Sequence, residues 1–117
     1  MFTAIHQCYI KEGQEQESVH HWEIIMNYFI SEKGAIGAAL HKAQDGSWVS
    51  YSRWPTQEVR DAAWPKDRKI SSDFPEEVRA AISSLQNAVD PARESREILM
   101  GVMLGEIFKK GGLLSHS

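Results

Sequence analysis

With one cysteine among its 117 residues, the chain can form no internal disulfide and no thiolate metal cage. Cys8 sits within an apolar stretch without a basic neighbour, so inert packing in a reducing, cytoplasmic setting is expected of it. No apolar run approaches the roughly 20 residues that a membrane-spanning helix needs, so no membrane partner is expected. The opening MFTAIHQCYI lacks a basic lead and a small-residue cleavage site, which predicts no secretory leader. No charge of one sign dominates: 13 Lys and Arg are interleaved with 16 Asp and Glu for a net charge of -3. Without a basic stripe to displace counterions, nucleic acid is excluded as a partner. The glycines show no phosphate-cradling pattern before a helix, which excludes nucleotide binding.

What the chain does have is the profile of one ordinary folded domain, 42% hydrophobic and 25% charged. From Phe2 to Ile10 the residues alternate with the period of a strand. After Gly13, Val19, Trp22, Met26, Phe29 and Ile30 recur at helical spacing, with acidic residues from Gln14 to Glu17 at the N-terminal end and Gly34 as a stop. The segment AIGAALHKAQ leads into Asp45-Gly46 and SWVSYSRW follows, which predicts a hairpin. Pro55 ends that strand, and Thr56 is placed to cap a short helix through Ala63. Trp64-Pro65 interrupts it. A second long helix, entered at Pro75, carries Val78, Ile82, Leu85 and Val89 on one stripe, and the apolar run REILMGVMLGEIF predicts a last strand.

The resulting order β-α-β-β-α-β is that of an α+β, ferredoxin-like split βαβ unit, with helices on one face of an antiparallel sheet. It spans residues 1–108, and 109–117 reads as a C-terminal tail. The opposite sheet face is left bare, which predicts a homodimer.

If Asp45-Gly46 is a two-residue loop, Ala43 lies opposite Trp48, His41 opposite Ser50, Ala39 opposite Ser52 and Gly37 opposite Trp54. One face then carries small residues between two indoles and leaves volume to be filled. Either Met26, Tyr28 or Phe29 from the first helix fills it, or it is a ligand pocket with His6, His41, Ser50 and Ser52 as its polar groups. The pair His20-His21, flanked by Glu17 and Glu23, has Glu-x-x-His spacing but no second such motif, so it reads as a solvated helix face and no metal site is expected.

The stretches MFTAIHQCYIKEGQEQE and GAIGAALHKAQDGSWVSYSRWPTQEVRDAAW, from Met1 to about Trp64, together resemble the antibiotic biosynthesis monooxygenase family. The resemblance rests on an opening strand followed by Lys-x-Gly, a glycine before the second strand, and a strand ending in Trp54 with a Thr-x-Glu helix start behind it. It implies a ferredoxin-like protomer that pairs into a dimeric α/β barrel. It also implies oxidation of an aromatic, quinol-like or polyketide compound by molecular oxygen without metal or flavin, hence no cofactor. Haem-degrading relatives carry an asparagine on the first strand, where His6 stands here, and a histidine after the second helix. No histidine occurs from Glu58 to Phe74 of this chain, which argues against haem and removes a histidine many members carry behind their tryptophan.

Within that expectation, His41 and His6 are the candidate bases or phenol partners, because a neutral imidazole beside an apolar wall can take a phenolic proton. Trp54, Trp64 and Trp48 are the candidate walls, with Ser50 and Ser52 between them. The competing expectation is a non-catalytic, dimeric binding or accessory protein of the same fold.

Overall fold

The computed structural model describes residues 1–64, 69–101, 103–105 and 107. Four strands and three helices follow one another as β1 (Phe2–Cys8), α1 (Glu15–Glu32), β2 (Gly37–Lys42), β3 (Trp48–Trp54), α2 (Gln57–Ala63), α3 (Glu76–Ala88) and β4 (Arg96–Met100). The sheet order is β2-β3-β1-β4 with every neighbouring pair antiparallel, the topology expected of a ferredoxin-like α+β fold. All three helices contribute side chains to the same side of the sheet.

Local chemistry accounts for most of these boundaries. Thr56, in extended conformation, accepts a hydrogen bond from the Val59 amide at 3.2 Å and so starts α2. Pro75 stands immediately before α3, whose first turn carries Glu76 and Glu77 near the positive end of the helix dipole. The buried side of α1 runs through Ser18, Ile25 and Phe29. At 100° per residue, Val19 and Ile30 lie roughly 100–120° round from the centre of that stripe. They are therefore 39% and 42% exposed rather than part of the core. The last strand is shorter than the apolar run suggests, ending at Met100; the tail 109–117 lies outside the described residues.

The hairpin departs from expectation in a way that matters for function. The Ala43 amide donates to the Ser47 carbonyl at 2.8 Å and the Gly46 amide to the Ala43 carbonyl at 3.0 Å, so the loop has three residues, Gln44, Asp45 and Gly46. Gly46 takes the left-handed conformation, φ 88°, that closes such a loop with a bulge. Asp45 secures it by accepting from the Ser47 amide at 2.9 Å and the Ser47 hydroxyl at 2.6 Å. These two bonds, the hydroxyl's first, hold the Asp45 carboxyl below its ordinary pKa.

One extra loop residue shifts every cross-strand partner by one. Leu40 lies opposite Ser50 and Ala38 opposite Ser52, while His41 lies opposite Val49 and Ala39 opposite Tyr51. The expected pairing of His41 with Ser50 is thus corrected, and His41 turns to the other face of the sheet.

The core is gathered around Trp54 and Phe29, whose rings are 5.8 Å apart, with Phe2, Phe74, Val78 and Ile82 packed against them. The face away from the helices carries Ile5, Val49, Tyr51, Ile98 and Met100, and the last two are 44% and 47% exposed.

Candidate functional site

Between sheet and helices lies a cavity of about 520 Å³, within the range of small-molecule sites. Its floor is the even-numbered face of β1 and β3. In the register Cys8 stands opposite Trp48, His6 opposite Ser50, Ala4 opposite Ser52 and Phe2 opposite Trp54, and all but Phe2 border the cavity. Trp22, Met26 and Phe29 of α1, Trp64 behind α2, and Ile82 and Leu85 of α3 form the walls. The side chains that could have filled the space leave it open: Met26 and Phe29 line it, Phe29 packing back on Trp54 with 54° between the ring planes, and Tyr28 packs edge-on against Phe74, their ring centroids 5.3 Å apart.

Six of the seven residues singled out from sequence border this cavity: His6, Trp48, Ser50, Ser52, Trp54 and Trp64. His41 does not. It is exposed on the far face, its ring stacked on Tyr51 at 5.7 Å with 10° between the planes, because the three-residue loop reverses its side. The expectation that His41 supplies a base to the pocket is therefore withdrawn, and His6 is the one histidine among the described lining residues.

The polar groups are ordered by bonds to the indoles. Trp54 Nε1 donates to Ser52 Oγ at 2.8 Å, and Trp22 Nε1 donates to Ser50 Oγ at 2.8 Å. Each serine oxygen is thus occupied as an acceptor and keeps its own hydroxyl proton to donate. Trp22 belongs to the site for this reason, although helical spacing alone marks it as core.

Two further residues went unnoticed in the sequence. Arg60 of α2 is 5% exposed and borders the cavity. Its Nη2 donates to Glu97 Oε2 at 2.7 Å and its Nη1 to Asp61 Oδ1 at 3.3 Å. Glu97 of β4 lies directly opposite His6, so imidazole, carboxylate and guanidinium share one end of the pocket. The available signal was Glu97 itself, a charge sharing the inward phase of β4 with Leu99.

Cys8 also lines the cavity, and burial pushes its thiol above its ordinary pKa, keeping it protonated and poorly nucleophilic. On α1, His20 is exposed and His21 half-buried, with ring centroids 6.2 Å apart. Among the described residues no group of three or more His, Cys, Asp or Glu is arranged to hold a metal ion. No helix there is long and apolar enough to cross a membrane.

No protein-family model matches the chain, and no curated protein matches its sequence. Solved structures do match its fold. A crystal structure of an antibiotic biosynthesis monooxygenase aligns over 88% of this chain and 99% of its own with a TM-score of 0.64 and 15% identity. SnoaB, a cofactor-independent oxygenase from Streptomyces nogalater, aligns over 90% of this chain and 97% of its own, with a TM-score of 0.64 and 15% identity. A conserved protein from Methanosarcina mazei aligns over 86% and 90% respectively, with a TM-score of 0.64 and 12% identity. The chain therefore has the fold its sequence resembles.

Proposed function

We propose that this chain, built on the fold of antibiotic biosynthesis monooxygenases, is a small cofactor-independent monooxygenase. Its substrate is an aromatic, quinol-like or polyketide compound bound between sheet and helices. The observation that carries this reading is the open cavity of about 520 Å³ in which His6 faces a wall of indoles. Such a reaction needs three things of the protein. It must take the proton from an electron-rich hydroxyl, keep the resulting anion out of bulk water, and leave it free to reduce oxygen by one electron.

His6 is the proton acceptor, being the lining imidazole. Trp48, Trp54 and Trp64 hold the planar ring and exclude water, and the hydroxyls of Ser50 and Ser52, turned by the indole N–H groups behind them, donate to the ring oxygens. Similar fold is not activity, and here the site carries the argument. Aerobic incubation with a panel of hydroquinones and anthrones, followed by oxygen uptake, tests it. Consumption above the uncatalysed rate with at least one member is expected. Ligand binding without any uptake would favour the accessory or binding protein instead.

The apolar face formed by Ile5, Val49, Tyr51, Ile98 and Met100 is the proposed contact with a second copy, closing two sheets back to back into a barrel. Sedimentation is expected to give the mass of a dimer at micromolar concentration, and a monomer throughout would contradict the pairing. A cytoplasmic location suits a chain with a single, buried, protonated thiol.

A further inference from the structure

We propose that Arg60 recognises a ring carbonyl oxygen of the bound compound, so that the cavity selects quinone- or anthrone-type aromatics over hydrocarbons of the same shape. This rests on the reading of the cavity as an aromatic site. A guanidinium has five N–H donors. Among the described residues its side-chain acceptors are Glu97 and Asp61, which take one N–H each and leave three donors unmatched on a residue only 5% exposed.

Two indole N–H groups of the pocket are already engaged, Trp22 with Ser50 and Trp54 with Ser52. The guanidinium, buried at the cavity wall, keeps N–H groups for an incoming acceptor. Its two carboxylates offset its charge, which favours a neutral carbonyl oxygen over a free anion. When an aromatic body displaces water from the pocket, a carbonyl replaces the lost hydrogen bonds. A bare hydrocarbon strands the donors in an apolar site, and sites built on buried donors reject such ligands strongly.

The test uses a rigid pair that differs only at one carbon, 9-fluorenone and fluorene, titrated against the full chain by quenching of its tryptophan fluorescence. Fluorenone is expected to bind at least about tenfold more tightly to the wild type, and Arg60→Gln is expected to bring the ratio near one by weakening fluorenone alone. Because the single change leaves Glu97 without its buried partner, the double variant Arg60→Met/Glu97→Gln is measured beside it and decides if the single variant does not fold. Equal binding of the two compounds by the wild type overturns the role of Arg60 while leaving the aromatic cavity intact, as does a ratio that survives in the folded variants. Binding of neither compound overturns both the inference and the cavity reading on which it rests.

Discussion

Replacing Trp54 by alanine is expected to lower the unfolding free energy by about 3–5 kcal/mol, the range for removing a large aromatic from a packed core. Trp54 is 2% exposed, packs against Phe29 with ring centroids 5.8 Å apart, lies opposite Phe2 and gives its N–H to Ser52 at 2.8 Å. Its loss joins a new void to a cavity that already exists, so neighbouring side chains have little to lean on as they relax. Small domains are stable by only about 5–15 kcal/mol, so the change takes a large share of the total. Urea denaturation at fixed protein concentration measures it. Trp54→Phe, which keeps a ring against Phe29 but loses the N–H, is expected to cost less than the alanine change. A loss below about 1 kcal/mol for Trp54→Ala would mean that the indole is not a core element.

The same residue shows why some of the site was legible in sequence. Within one strand, sidedness is covalent: residues two apart share a face whatever the partner strand does. Trp48, Ser50, Ser52 and Trp54 therefore stand together with certainty once SWVSYSRW is a strand. The alternation of β1 likewise groups Ala4, His6 and Cys8, although only the fold shows that this set faces the helices.

Sidedness across the hairpin depends instead on counting loop residues. Asp45-Gly46 suits both a two-residue turn and the end of a three-residue loop, because both ask for a left-handed glycine. The structure resolves the count through the Asp45 carboxylate, which bonds the amide and hydroxyl of Ser47 and leaves Gln44 inside the loop. That single residue moves His41 from pocket to outer face and brings Leu40 in.

Arg60 and Glu97 were hidden for a different reason. In the sequence, Arg60 is one more charge on a short helix, and Glu97 lies 37 positions away in a run whose secondary structure periodicity alone does not decide. Only the adjacency of β1 and β4 places that carboxylate beside His6 and within reach of α2. The fold class was readable because it depends on the order of elements. The polar end of the pocket was not, because it depends on a contact between three of them.

His6 inside and His41 outside is the arrangement on which the account rests, and it predicts opposite fates for the two histidines. Removing a general base from a site typically costs 10²–10⁴-fold in rate. His6→Ala should show a loss of about that size, whereas His41→Ala, which removes only a ring stacked on Tyr51 at the far face, should leave turnover unchanged at a concentration that preserves the assembly. The decisive measurement is the rate of oxygen uptake by wild type, His6→Ala and His41→Ala side by side, with the hydroquinone or anthrone turned over fastest. Collapse of the His6 variant alone is the predicted result. Full activity without His6, selective loss on changing His41, or no uptake by the wild type with any compound of the panel would contradict the account.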